Sequence, residues 1–263
     1  MKKIFKHVIC CMVLGSVLSA WAETSKSTDG FWQEAGRDFT SPVTTDAKNI
    51  LLPGTLLTGL LLLEKKNISD PIQDSVSTRR PLGSSSKYGD LMGQVVPNAI
   101  YAGSMWAYSY FEKSALAEEQ ALVMVKATLY SGIFTDVFKA IAREERPDSS
   151  NNQSFPSGHS TSAFAFASVV HAEHGWAWAV PAYALASFVG YSRINDNKHY
   201  FHDVVAGAVV GTSYGFGLHY RSLKQKPRGD SAAAIRRAPR GYEYSFMPVV
   251  AHDFAGLSLF GEF

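Results

Sequence analysis

Long apolar segments with a helical pattern dominate this sequence, and no strand pattern appears before residue 240. The longest predicted helix covers residues 116–142, and shorter helices rich in small and apolar residues are predicted at 158–172, 175–191 and 201–219. Hydrophobic residues make up 46% of the 263 residues, which is enough to bury a sizeable core. We therefore expect a mainly helical body.

The N-terminus has the pattern of an export signal. Three lysines among the first six residues precede an apolar run at 8–18, and an Ala-Trp-Ala cleavage signal follows at 20–22. We predict that residues 1–22 are a signal peptide, with an uncleaved N-terminal anchor as the alternative. Both cysteines, Cys10 and Cys11, lie inside this segment, so the mature chain would carry no thiol for a disulfide or a metal site.

Composition divides the first part of the mature chain in two. Residues 23–89 predict an N-terminal lead-in with one apolar helix at 50–63, and residues 90–220 predict the helical bundle itself. The run at 50–63 is short for a membrane span, which needs roughly 20 residues.

A net charge of +2 gives no general attraction to nucleic acid, so no nucleic-acid partner is expected.

The C-terminal part differs from the bundle in charge and in pattern. Residues 221–240 carry seven arginines and lysines against a single acid, Asp230. They predict a basic, solvated linker, with contact to anionic lipid head groups as the alternative. In residues 241–263, polar and apolar residues alternate around a break at Gly256, which predicts a short β-hairpin.

Residues 154–160, with the sequence Ser-Phe-Pro-Ser-Gly-His-Ser, predict a tight turn that opens directly into a helix. Pro156 fixes one backbone angle, and Gly158 lets the backbone approach another group closely. Because the first N–H groups of a helix have no partner within it, such a helix start is a natural anion site. Taken alone, a turn of this kind is more often structural than functional.

Two further polar clusters near predicted helix ends give this turn its context. In chain order the spacing is Lys-x6-Arg-Pro, then Pro-Ser-Gly-His, then Ser-Arg-x5-His-x3-Asp. The cationic and neutral donors of the three clusters suit the oxygens of a phosphoryl group, which catalysis of phosphoryl transfer must surround with positive charge. These predicted phosphate-binding residues are Lys139, Arg146, Ser157, Gly158 and Arg193.

Three residues of the same clusters predict the catalytic chemistry. His199 and Asp203 are four residues apart and would share one face of a helix. Asp203 could then bind one ring nitrogen of His199 and leave the other free to attack phosphorus. His159 remains as the general acid for the leaving alkoxide and later as the base for water.

The three clusters resemble the signature of the phosphatidic acid phosphatase type 2 (PAP2) superfamily, which includes bacterial class A acid phosphatases, lipid phosphate phosphatases and vanadium haloperoxidases. Residues 139–203 match every signature position, and the resemblance covers roughly residues 90–220. It implies an all-α bundle, a phosphohistidine at His199 and hydrolysis of phosphomonoesters without a metal or other cofactor. It also implies the roles given above to the other site residues.

The resemblance leaves several alternatives open. A haloperoxidase would bind vanadate in the same cradle of cations, formed by Lys139, Arg146 and Arg193, and a non-catalytic protein would use this cradle only to bind phosphate or lipid. A metal site at His199, His202 and Asp203 is disfavoured, because the surrounding lysine and arginines would repel a cation. Residues 143–145 (Arg-Glu-Glu) are predicted to be a solvated last turn of the preceding helix rather than catalytic groups.

The expected substrate and the expected location both belong to the cell envelope. The expected substrate is a phosphate ester, either small or borne by a phospholipid or an isoprenoid. Modest mean hydropathy (-0.05) and short apolar runs favour an exported, periplasmic protein that is soluble or attached to the membrane surface. An integral inner-membrane protein is the alternative, since the basic stretch after residue 220 resembles a cytoplasmic flank. The sequence sets no oligomeric state.

Overall fold

The computed structural model of the protein describes residues 28–225, 244–251 and 254–261. The predicted signal peptide, residues 1–22, and residues 226–240 of the predicted linker lie outside the described residues. The described residues divide into two compact units, the first up to Ser222 and the second from Leu223 onward.

Ten α-helices account for most of the described residues up to Gln225, with a π-helical turn at Lys65–Ser69 and a 3₁₀ turn at Gly83–Ser85 between them. The helices are α1 (Thr28–Phe39), α2 (Ser41–Thr44), α3 (Lys48–Leu63), α4 (Asp70–Arg79), α5 (Ser86–Met92), α6 (Val96–Glu112), α7 (Ala115–Ala142), α8 (Gly158–His174), α9 (Trp176–Asn195) and α10 (Phe201–Gln225).

Local signals explain where the long helices begin and end. The Ser114 and Ser157 side chains cap α7 and α8 by accepting the N–H of Ala117 and of Ser160, respectively. Arg143, with a φ of 48°, takes the left-handed conformation that ends α7. The predicted helix at 201–219 continues to Gln225, so Arg221 belongs to α10 rather than to a linker.

A stripe of glycines lets α10 approach α8 closely. Gly207, Gly211 and Gly215 recur every four residues on one face of α10, and a Cβ at each would meet atoms of α8 or of Ser157 just before it at 2.9 Å or less. This backbone-to-backbone approach accounts for the small residues seen in the sequence of both helices. The main core also takes in α6, α7 and α9, through residues such as Ala102, Met124 and Val189, respectively.

A buried ion cluster ties the N-terminal helix to the bundle. Asp38 of α1 is 1% exposed, and its carboxylate lies 2.8 Å from Lys126 of α7 and 2.5 Å from Arg221 of α10. Arg221 also pairs with Glu34 of α1 at 2.6 Å. Because breaking a buried pair leaves an uncompensated charge, this cluster fixes α1 against two core helices.

The predicted fold class needs one correction. The sequence predicted an all-α bundle with a β-hairpin at its C-terminus, but the described helical unit contains only helices and no strand contributes to it. The two strands that the structure has, β1 (Tyr244–Ala251) and β2 (Phe254–Gly261), pair antiparallel with each other and fall in the second unit. A two-stranded hairpin adds little to a fold unless it joins a larger sheet or packs on a helix.

Large apolar side chains are exposed along several helices of the first unit. Ile133, Val137 and Ile141 recur every four residues on α7 and are 43%, 50% and 71% exposed; we call them the α7 stripe. On α3, Leu52, Leu56 and several neighbouring leucines are also exposed. Among the described residues, Ala115–Ala142 is long and apolar enough to cross a membrane. Exposed apolar surface of this extent marks an interaction site.

Candidate active site

Helix ends bring the three polar clusters together. Lys139 lies in the last turn of α7, His159 in the first turn of α8, and Arg193 in the last turn of α9. Asp203 lies in the first turn of α10. The charges of these groups and of Arg146 and His199 act on one another's pKa values, so the chain gathers six of the eight predicted residues in one place.

Asp203 is the most constrained member of the site. It is fully buried, and its Oδ2 accepts the Ser154 hydroxyl at 2.5 Å and the Tyr200 N–H at 2.8 Å. Its own backbone carbonyl accepts the Ser157 N–H at 3.0 Å. The turn at 154–157 is thus bonded directly to the start of α10, which explains why the second and third clusters converge.

His199 lies beside this carboxylate but outside the helix. α10 begins at Phe201, so His199 and Asp203 are not four residues apart on a helix face as predicted. Asp203 at the third helical position instead reaches back to the N–H before the helix, as acids do in capping boxes. This bond sets the turn that places His199 Nδ1 3.5 Å from Asp203 Oδ2.

The surroundings of His199 favour a neutral imidazole. Its side chain is 2% exposed, and burial lowers its pKa while Asp203 opposes that effect only in part. A proton on Nδ1 would face the Asp203 carboxylate, which leaves Nε2 with a lone pair. The lowered pKa therefore favours the protonation state that a nucleophile needs.

His159 has a different environment. Its Nε2 lies 3.2 Å from Asp90 Oδ1. Burial and the Arg193 guanidinium lower the pKa of His159 to about 4, while Asp90 raises it. The two histidines thus face different carboxylates within one site.

The predicted cations line the site with few competing partners. Lys139 Nζ donates to the backbone carbonyl of Gln153 at 2.8 Å. The buried Nε atoms of Arg146 and Arg193 have no hydrogen-bond partner within the described part of the chain. Arg193 is 5% exposed, and its Nη1 lies 2.6 Å from Asp90 Oδ1. The unpartnered Nε–H groups of these two guanidinium ions can donate hydrogen bonds to the oxygens of a phosphoryl group.

Ser157 and Gly158 occupy the start of α8. Ser157 is fully buried, and its Oγ accepts hydrogen bonds from the N–H and the hydroxyl of Ser160 at the start of the helix. The Ser157 hydroxyl therefore has a structural role as the helix cap. A Cβ on Gly158 would lie 4.0 Å from Lys139 Cε, which places this helix start next to a cation of the first cluster. The structure therefore puts both residues beside the cradle.

A chain of charges behind Asp203 was not predicted. His202 is fully buried, and its Nε2 lies 3.2 Å from Asp203 Oδ1 and 3.1 Å from Glu144 Oε2. Lys65 in turn lies 2.5 Å from Glu144. Burial lowers the pKa of His202, but its bonds to Asp203 and Glu144 outweigh this and raise it to about 9. Asp203 is thereby held between two histidines, and its pKa lies below the ordinary range although burial alone would raise it.

This chain corrects the interpretation of Glu144 as part of a solvated last turn. α7 ends at Ala142, and Glu144 turns inward to bond with His202 and Lys65. Glu144, His202 and Asp203 also have the proximity of a metal site, with ligand atoms within 4.8 Å of one another. The Lys65 ammonium already neutralises Glu144, so the arrangement favours a chain of ion pairs.

Asp90 was also missed. It lies on the short helix α5, far in sequence from the three clusters, and no spacing rule links it to them. For His202 the sequence did offer a signal, namely a second histidine directly before Asp203. From the sequence, His202 is predicted only as a ligand of a disfavoured metal site.

Comparison with known proteins finds a matching family model and a similar curated phosphatase. Residues 120–227 match the model of the PAP2 superfamily. A lipid A 1-phosphatase of Porphyromonas gingivalis is 30% identical over 200 residues, which cover 73% of this chain and 42% of that protein. The chain therefore spans less than half the length of this curated relative.

A solved structure shows the same fold. The transmembrane PAP2-type phosphatidylglycerolphosphate phosphatase from Bacillus subtilis superposes with a TM-score of 0.56 at 21% identity. The match covers 72% of this chain and 99% of the other. The two proteins therefore share the helical fold described above.

Proposed function

Because the chain belongs to the PAP2 superfamily, we propose that it is a phosphatase that hydrolyses phosphate monoesters of lipids through a phosphohistidine at His199. One observation carries this proposal: the buried His199 ring lies 3.5 Å from Asp203, in the same site as Lys139, Arg146 and Arg193, and burial lowers its pKa. The relatives named above are phosphatases, which favours hydrolysis over halide oxidation with vanadate.

In the first step, the Nε2 lone pair of His199 attacks phosphorus. A P–N bond forms while the ester P–O bond breaks, and the leaving alkoxide takes the proton of His159. Lys139, Arg146 and Arg193 stabilise the charge on the three equatorial oxygens. Asp203 stabilises the positive ring of the phosphohistidine through Nδ1–H.

In the second step, His159 acts as a base. It takes a proton from a water molecule, whose oxygen attacks phosphorus as the P–N bond breaks. Inorganic phosphate leaves, and His199 and His159 return to their starting protonation states. No step in this sequence requires a group from outside the chain other than water.

A cavity beside His159 fits the alcohol side of a substrate. It has a volume of about 250 Å³ and is lined by Gly158, His159 and small residues of α7 such as Thr128, Ser131 and Thr135. Since His159 serves the leaving group, an alcohol that leaves on its side would enter this cavity. The names of both relatives point to lipid phosphates, so we place the head group of such a lipid here.

Membrane association belongs to the same proposal. The α7 stripe and the exposed leucines of α3 offer apolar surface that acyl chains can cover. A lipid phosphate could then reach the cradle without leaving the membrane.

Phosphate release by the purified full-length chain tests the activity. We expect metal-independent release from phosphatidylglycerol phosphate or lipid A in mixed micelles, inhibited by vanadate, and a loss of at least about 1,000-fold in His199→Ala. His174→Gln is the matched control, because His174 lies at the other end of α8 and bonds to Tyr101. Full activity of His199→Ala would contradict the mechanism.

A further inference from the structure

The carboxylate of Asp90 lies where a substrate oxygen must bind. Its Oδ1 is 2.6 Å from Arg193 Nη1 and 3.2 Å from His159 Nε2. In the proposed reaction, Arg193 binds a phosphoryl oxygen and His159 faces the leaving oxygen. One atom of Asp90 therefore contacts both groups that the substrate needs.

The backbone on both sides of Asp90 is packed against the site. A Cβ on Gly89 would collide with the Ser192 side chain, next to Arg193. A Cβ on Gly93 would lie 2.8 Å from His159 Cβ and 2.6 Å from Val189 Cγ1. α5 is thus seated directly on the residues that flank the cradle, and this seating aims Asp90 at Arg193 and His159.

The Asp90 side chain is also free to leave. It is 48% exposed, whereas the Arg193 side chain that it contacts is 5% exposed. A substrate oxygen that contacts both Arg193 Nη1 and His159 Nε2 must take the position of Asp90 Oδ1, and the like charges of substrate and carboxylate repel each other at that distance. Rotation of an exposed carboxylate into water makes that displacement possible.

We propose that Asp90 is a specificity-determining residue, an internal anion that occupies the phosphate site and that substrate must displace. This inference rests on the proposed phosphatase function and refines its substrate class. Inorganic phosphate and small esters compete with Asp90 for Arg193 and His159 through their charge alone. A lipid phosphate also buries its alcohol and acyl groups, and this added binding free energy drives the exchange. The same carboxylate returns after turnover and helps to expel phosphate.

The test compares Asp90→Asn with a matched loss of charge at Asp196. Asp196 lies 3.9 Å from Arg193 Nη2 and forms no ion pair with His159 in the described part of the chain, so Asp196→Asn removes a charge near Arg193 without opening the oxygen position. The inhibition constants of inorganic phosphate and vanadate are measured for both variants and the parent chain. Thermal melting of each variant verifies that it is folded, and Asp90→Ser provides a second, smaller side chain if Asp90→Asn is unstable.

We expect Asp90→Asn to bind phosphate and vanadate about tenfold more tightly, which corresponds to about 1.4 kcal/mol. Its kcat/KM should rise more for p-nitrophenyl phosphate than for a lipid phosphate, whereas Asp90→Glu should restore weak phosphate binding. Asp196→Asn should shift these constants by less than about threefold. Unchanged or weaker phosphate binding in both Asp90→Asn and Asp90→Ser would overturn the proposal.

Direct titration of inorganic phosphate into the His199→Ala background separates this inference from the proposed function. Tighter binding after Asp90→Asn in that background supports the role of Asp90 even if the parent chain releases no phosphate from any ester. Turnover by the parent chain, together with equal phosphate binding by His199→Ala with and without Asp90→Asn, would retain the phosphatase and reject the role of Asp90.

Discussion

The proton on His159 determines at which pH the first step can occur. In the unliganded site, burial and Arg193 lower the pKa of this histidine to about 4. A bound phosphate dianion favours the imidazolium and must raise that pKa. Since kcat/KM reports the free enzyme and kcat the substrate complex, we expect the alkaline limb of kcat to lie at higher pH than that of kcat/KM.

Initial rates from pH 3.5 to 9 with one lipid phosphate provide this comparison. His159→Gln is the control, because it should lose most of its rate and the alkaline limb with it. Coincident alkaline limbs for kcat and kcat/KM in the parent chain would show that another group controls protonation of the leaving group.

His202 gives a second prediction at the scale of a residue, this time for stability. Its pKa is raised from 6.5 to about 9 in the folded chain by Asp203 and Glu144. A raised folded pKa stabilises the fold fully below the unfolded pKa, and the contribution is lost as the pH rises through the folded pKa. We therefore expect the free energy of unfolding to fall between pH 6.5 and 9, and this slope to be weaker in His202→Gln.

Chemical denaturation at several pH values measures this slope. His219→Gln is a suitable control, since His219 also contacts an acid, Glu173, but lies outside the site. If His202→Gln keeps the full slope of the parent chain, the charge on His202 is not what couples stability to pH. We also expect kcat of this variant to fall about tenfold or more, because Asp203 loses the buried, charged ring that lies 3.2 Å from its Oδ1.

At the scale of secondary-structure elements, the contact between α8 and α10 depends on the glycine stripe. A Cβ on Gly211 would collide with the Thr161 carbonyl oxygen and lie 2.7 Å from Ala165 N. Backbone atoms cannot move aside as a flexible side chain can, so Gly211→Ala should destabilise the fold by about 1–3 kcal/mol. Thermal or urea unfolding measures the change.

Gly103 provides the matched control for that substitution. It lies inside α6, and a Cβ there would meet nothing within 4 Å. Gly103→Ala should therefore stabilise the fold by about 0.5–1 kcal/mol through helix propensity alone. Equal effects of the two substitutions would mean that close helix approach does not explain the stripe.

The sequence predicted the elements well where the signals are local. The long helix predicted at 116–142 is α7, Ala115–Ala142, and the turn at 154–157 does open into α8. Both follow from apolar periodicity and from serine caps within a few residues of the helix starts. The predicted hairpin did not become part of the helical fold, because alternation within 23 residues says nothing about what the strands pack on.

The sequence predicted only those site residues that belong to the three motifs. Lys139, Arg146, His159, Arg193, His199 and Asp203 lie together, although the helix face predicted for His199 was wrong because Asp203 caps α10. Asp90 and Lys65 could not be predicted. Asp90 meets Arg193 across 103 residues and Lys65 meets Glu144 across 79, and neither pair follows a periodicity that a sequence displays.

At the scale of the whole molecule, we expect the exposed apolar surface to determine whether the protein associates with membranes. The α7 stripe and the exposed leucines of α3 would be costly in water but favourable against acyl chains. We expect the full-length chain to stay with membranes through a carbonate wash and to be released by detergent. Release by carbonate alone would favour a peripheral protein, and recovery without membranes would contradict lipid contact.

A triple change in the α7 stripe refines that result. Replacement of Ile133, Val137 and Ile141 by glutamine should reduce membrane association while release of phosphate from a soluble ester is retained. Loss of both would point to damage to α7, which also carries Lys139. Circular dichroism of the variant distinguishes the two outcomes.

The central claim, that His199 becomes phosphorylated during turnover, has one direct measurement. A rapid-quench reaction with a ³²P-labelled lipid phosphate should yield labelled protein whose phosphate is stable in base and lost in acid, as expected for phosphohistidine. Peptide mapping should place the label on His199, and His199→Ala should yield none. Turnover by the parent chain without labelled protein at any quench time, or a label on another residue, would contradict the mechanism.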